Sequence, residues 1–184
     1  IMHKRKILTA PRFFSLCLAL MATSTVAYAD DNHTATTRFG VVDTDSNIVI
    51  FNGQTTTPKI SGNGGLMPLK VAETADADFL VLTSVGGEAC PASYSVAKVT
   101  AAGVQSTTFF GNCNDGPSRT VSPDGKIILS FPKFANRIGH FGGPPSVVTY
   151  AAETYVYDIK TGKMTKNGKS FVSACKLAAG VCQG

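Results

Sequence analysis

Two short stretches decide the fold: Gly86-Gly87-Glu88-Ala89-Cys90-Pro91-Ala92-Ser93-Tyr94 and Phe109-Phe110-Gly111-Asn112-Cys113-Asn114-Asp115. Between the cysteines, Ser93 to Val99 puts Tyr94 and Val96 on one face at the two-residue period of a strand. A turn at Ala102-Gly103 leads into a second run, Val104 to Phe110. Gly86, Gly87 and Gly111 bracket the unit and supply backbone angles that other residues resist. Oxidation of Cys90 and Cys113 staples this strand–turn–strand unit, which speaks for fold and compartment more than for chemistry.

Working outward, Phe79-Leu80-Val81-Leu82 is apolar on both faces and predicts a central buried strand leading into the stapled unit. Downstream, Ser122-Pro123-Asp124-Gly125 is turn chemistry, and Ile127, Leu129 and Phe131 then alternate as one half-buried face. Val147 to Ile159 predicts one long strand or two, with Tyr155, Tyr157 and Ile159 on one face and Thr161-Gly162 turning back toward Met164. Upstream, Arg38–Val42, Asn47–Phe51 and Leu66–Val71 read as short strands around a loop rich in Thr and Gly. Asp30 to Thr37 is polar and reads as a flexible N-terminus. Pro132 to Pro145 reads as a long loop, and Ser170 onward as a short helix or loop. The fold class is therefore mainly β: one compact antiparallel domain over residues 38–184, a sandwich or roll.

Residues 1–29 read as a signal peptide. Met2-His3-Lys4-Arg5-Lys6 is a basic start, Phe13 to Ala22 an apolar stretch, and Ala27-Tyr28-Ala29 a small-residue cleavage site. The apolar run is shorter than the roughly 20 residues a spanning helix needs. Leu16 before Cys17 is not the small residue that lipoprotein processing requires. Four of the 17 basic residues and none of the 12 acids lie before Asp30, so cleavage takes the formal charge from +5 to +1. That balance gives no support to nucleic-acid binding. Periplasmic or secreted placement follows, with no stable membrane insertion once the leader is gone.

Four cysteines remain after the leader, and four permit three pairings. Cys90–Cys113 and Cys175–Cys182 are preferred because each pair brackets a local unit. Seven residues of helix span about 10 Å, beyond disulfide reach, so the chain must leave any helix before Cys182, and Gly180 permits the turn.

The string from Gly86 to Tyr94, followed by Phe110-Gly111-Asn112-Cys113-Asn114-Asp115, resembles a family of small exported proteobacterial proteins of unknown function. The likeness runs from Phe39 to Lys169. It implies a β-rich periplasmic domain with the corresponding cysteines paired, and it carries no catalytic residues across. Val121 to Ile128 with Tyr155 to Lys163 also looks like one β-propeller blade of the TolB type. A propeller of at least four blades, each about 40 residues, would consume the whole chain. Two independent hairpin turns are the preferred reading of that pattern.

The candidate chemistry is sparse. Asp43-x-Asp45-x-Asn47 opens like a calcium loop, but Ile48 stands where Gly belongs and Gln54 where Glu belongs, so a polar turn is expected. Close cysteine pairs of the zinc type are missing, and no metal or cofactor is expected. Asp76 and Asp78 read as alternation in an exposed turn. Outside the N-terminus His140 is the one histidine of the mature chain; a small hydrolase using it, with Asp115 or Glu153 as orienter, is the alternative function. The preferred function is protein binding, as an immunity, inhibitor or accessory protein with a partner in the cell envelope. Phe134, Arg137, His140 and Phe141, set between Gly and Pro breakers, are the candidate contact residues.

Overall fold

The computed structural model describes residues 32–87, 89–140, 143–171 and 181–183. The predicted leader, Phe141, Cys175 and the predicted C-terminal helix or loop over 172–180 lie outside them, and so does the expected Cys175–Cys182 bridge. Seventeen strands and no helix occur among the described residues. Three antiparallel sheets carry most of them. The first holds β1 (Thr34–Thr37), β2 (Gly40–Asp43), β3 (Ile50–Phe51) and β4 (Gln54–Thr55). The middle sheet holds β6 (Gly65–Glu73), β7 (Asp78–Val85), β8 (Ala92–Thr100) and β9 (Gly103–Ser106). In the third, β10 (Ser118–Ser122), β11 (Lys126–Phe131), β14 (Glu153–Asp158), β15 (Met164–Lys166) and β16 (Lys169–Phe171) lie side by side in that order. β5 (Lys59–Ser61) pairs in parallel with β17 (Val181–Gln183), and β12 (Phe134–His140) with β13 (Gly143–Tyr150) forms a separate two-stranded ribbon.

The middle sheet is covered on both faces, and β7 is the reason. Successive side chains of a strand point to opposite faces. Phe79 and Val81 enter one core with Tyr94, Val96, Ile127, Leu129 and Tyr155. Leu80 and Leu82 enter another with Ala35, Val42, Val49, Ile60 and Leu66. All four β7 side chains are at most 1% exposed. Burying each such residue contributes about 1.5–3 kcal/mol, so this strand ties the first and third sheets into one stack of three layers. The expected central strand is shown; the stack has one layer more than a sandwich.

β11 shows the predicted alternation, with Ile127, Leu129 and Phe131 buried. Val147 to Ile159 divides into two strands, β13 and β14. The Ser122–Gly125 and Asp158–Gly162 turns are not independent: Ile159 N donates to Gly125 O at 3.0 Å, so they lie together at one end of the third sheet.

Two expectations are corrected. Thr34–Thr37 is not a frayed end but β1, paired with β2 and burying Ala35; the small Ala and Thr side chains hid a strand that fits a tight layer. Asp78 is not in an exposed turn. Its side chain has no exposed surface and accepts from Arg38 N and Arg38 Nε, each at 2.8 Å, with Lys70 Nζ at 3.0 Å.

Candidate functional site

The Cys90–Cys113 disulfide spans 23 positions, with the Cα atoms 4.6 Å apart. Its neighbours are held by the strand pairing the sequence suggests: β8 pairs with β9, and Tyr94 and Phe110 exchange backbone hydrogen bonds of 2.8 and 2.7 Å. Gly86, Gly87 and Gly111 have φ of 125°, 96° and 128°. A side chain at Gly86 would put its Cβ 2.8 Å from the Gly64 nitrogen, so glycine is required there. The bridge joins the loop entering β8 to the loop leaving Phe110.

Phe134, Arg137 and His140, three of the four candidate contact residues, do not lie on a loop. Lys133 to Pro145 largely belongs to the β12–β13 ribbon, an arm inserted between β11 and β14. Those two strands pair as neighbours up to Phe131 and Glu153, and the arm emerges from that end. Gly139, Gly143, Pro144 and Pro145 made this stretch look like a connection. In a two-stranded ribbon both strands are edges, where missing Pro donors and missing side chains are tolerated.

Residues flanking both halves of the disulfide hold the arm. Asn112, beside Cys113, is 3% exposed, and its Nδ2 donates to Pro132 O and to Ala151 O, both at 2.8 Å. One amide thus pins both roots of the arm. On the other side of the bridge, Ala89 O accepts from Tyr150 Oη at 3.1 Å and from Asn136 Nδ2 at 3.4 Å. Ala89 and Asn112 therefore form a socket, and the disulfide joins its two walls.

Register sorts the arm into two faces. Phe134 opposes Tyr150, and Asn136 opposes Val148; Phe134 and Tyr150 stack with centroids 6.0 Å apart and planes at 21°. Phe134 thus packs within the arm and enters neither core. On the other face Ala135 opposes Thr149, and Arg137 opposes Val147, which is 65% exposed. Arg137 is also exposed. His140 ends β12 and pairs with Gly143 across a register shift, while Phe141 lies outside the described residues. The structure thus brings Phe134 and Arg137 onto one element, on opposite faces. Between Phe131 and Glu153 there is no Asp or Glu, whereas Lys133 and Arg137 are cations, so the arm is basic.

Sequence reasoning missed Asn112, Tyr150 and Val147. The adjacency of Asn112 to Cys113 was visible, but nothing in the sequence indicated what its amide would reach. As for turnover, Glu153 is engaged by Tyr155 Oη and Lys166 Nζ, each at 2.7 Å. Among the described residues no three His, Cys, Asp or Glu side chains converge as a metal site. Asp43 Oδ1 accepts from Asp45 N at 2.9 Å, closing a polar turn. Such an arm can present a fixed basic and apolar face to another surface. Comparison of the chain with protein-family models, with curated proteins and with solved structures returned no match.

Proposed function

We propose that this disulfide-stapled β protein is exported and acts as a binding module, docking another protein of the cell envelope through the β12–β13 arm. One observation carries the reading. No described side chain of the arm lies in either core, yet a buried asparagine and a backbone carbonyl, one on each side of the disulfide, fix its position. Holding an element rigidly outside the core lowers the ordering cost of binding. Its outward face couples Arg137, a planar and always-charged fork, to exposed Val147, a combination suited to an acidic partner surface with an apolar centre. The leader-like N-terminus and the oxidised bridge support placement outside the cytoplasm. Among the described residues no helix is long and apolar enough to cross a membrane.

The test is site-specific photocrosslinking in cells, with the reactive group at position 147 and a control at exposed Val121 of β10. One discrete adduct at 147, missing at 121 and weakened by Arg137→Ala together with Phe141→Ala, is expected. Equal, diffuse labelling from both positions would remove the arm as a docking element.

A further inference from the structure

A cleft of about 460 Å³ opens near the Asp158–Gly162 turn, between the middle and third sheets and away from the arm. Val96 and Lys98 of β8 approach it from one side, and Tyr157, Ile159 and Lys160 from the other, with Ile60 of β5 at its floor. The volume is in the range of small-molecule sites, about 300–1,000 Å³. Its lining is asymmetric in charge. Lys98 and Lys160 are the charged side chains on it, and no carboxylate lines it. Neither lysine forms an ion pair among the described residues.

Tyr157 supplies the second observation. It is 7% exposed, its ring packs on Phe79 with centroids 6.1 Å apart, and its hydroxyl is beside Gly162 on the cleft wall. That hydroxyl has no protein hydrogen-bond partner among the described residues and opens onto the cleft, so its donor is available to whatever fills the space. The hydroxyls at the end of β9 and just after it are already used: Ser106 pairs with Ser95, and Thr107 Oγ1 accepts from Val96 N at 3.0 Å. Burial, followed by the nearby Asp158 charge, raises the Tyr157 pKa, so the phenol stays protonated at neutral pH and remains a donor. A phenol donor open to the cleft, two cations outside any ion pair and an apolar floor meet in one space.

We propose that the cleft binds a small organic anion, a carboxylate or sulfonate carried on an apolar body. The head group accepts from Tyr157 and sits in the field of Lys98 and Lys160, while the body lies along Val96, Ile159 and Ile60. A cationic head on the same body meets two ammonium groups and no carboxylate on the lining, so it is disfavoured.

Octanoate and octylamine, which share an alkyl body and differ in the sign of the head, are the probes, with 8-anilinonaphthalene-1-sulfonate as a fluorescent competitor. Methyl NMR of the protein locates binding, and titration gives affinity. Octanoate is expected to shift the Val96, Ile159 and Ile60 methyl signals, to displace the fluorescent sulfonate and to lose affinity as salt rises. Tyr157→Phe, which keeps the ring and removes the hydroxyl, is expected to weaken octanoate by about three- to ten-fold. Lys98→Gln combined with Lys160→Gln is expected to weaken it further and flatten its salt dependence. The proposal is overturned if octylamine binds as well as octanoate, or if the shifts fall elsewhere. Unchanged affinity in both variants overturns it as well. The map on the unaltered protein decides the location even if a variant fails to fold.

Discussion

Asp78 is enclosed, and its two oxygens are shared among the Arg38 backbone, the Arg38 guanidinium and the Lys70 ammonium. Burial alone would push its pKa up; the Arg38 bonds, backbone first, and then Lys70 outweigh it and bring the carboxyl down to about 2, from 3.8. A carboxylate with a depressed folded pKa stabilises the fold above its unfolded pKa and loses that contribution as pH falls through the folded value. The window is therefore about pH 4 to pH 2, where the unfolded chain takes up the proton first, and the contribution is about 2 kcal/mol. Asp78→Asn leaves Arg38 and Lys70 facing an uncharged group and is expected to cost about 3 kcal/mol at neutral pH. Urea unfolding at several pH values checks both parts, because the variant should lose the slope that the unaltered protein shows between pH 4 and 2. Comparing the two also removes the contribution of Asp124, which titrates low in the same range beside Lys126. A variant with the same slope would mean that other carboxylates set the acid limit. The sequence could not reveal this residue: Asp76 and Asp78 stand two apart as in any polar turn, and only the fold separates them, leaving Asp76 exposed and Asp78 enclosed.

The strands show the same contrast between local and distant information. β7 and β11 were legible because their apolar residues follow the pleat, and the β8–β9 unit because cysteines and glycines mark its limits. β1 was missed because Ala and Thr carry little apolar signal, and the arm because Gly and Pro mimic a loop. What no local pattern encodes is that Asn112 reaches both arm roots, 20 and 39 residues along the chain. The arm can nevertheless be separated from the stack. Phe131 and Glu153 are cross-strand partners, so replacing residues 132–152 by Asn-Gly should close a two-residue hairpin. The shortened protein is expected to fold with a loss of about 1–3 kcal/mol, the cost of leaving the buried Asn112 amide unpaired, and to lose the crosslinked partner. Failure to fold would show that the arm is part of the stack. The disulfide should act on both: Cys90→Ser with Cys113→Ser is expected to cost about 3 kcal/mol from its loop of 23 positions. It should also speed hydrogen exchange in β12 and β13 more than in β7, since the socket walls come apart. Uniform acceleration everywhere would reduce the bridge to a global staple.

At the scale of the molecule, the middle sheet makes two cores interdependent. Tyr94, Tyr155 and Tyr157 all lie in the core shared with the third sheet, whereas the core shared with the first sheet contains no tyrosine. The chain has no tryptophan, so near-ultraviolet tyrosine dichroism reports the core shared with the third sheet and, through Tyr150, the arm, but not the core shared with the first sheet. Phe79→Ala cuts into the tyrosine core and Leu80→Ala into the other, from adjacent positions of one strand. Phe79→Ala is expected to cost about 3–5 kcal/mol and Leu80→Ala about 2–5 kcal/mol, the transfer term plus a residual cavity. Because β7 gives side chains to both cores, neither core can open without removing a wall of the other. Leu80→Ala should therefore lower the midpoint of the tyrosine transition although it touches no tyrosine core contact. Hydrogen exchange at Val42 of the first sheet should give the same midpoint. A single coincident transition is the signature of one cooperative unit. If Leu80→Ala melts the first sheet early and leaves the tyrosine signal in place, the layers are separate units joined only by the chain.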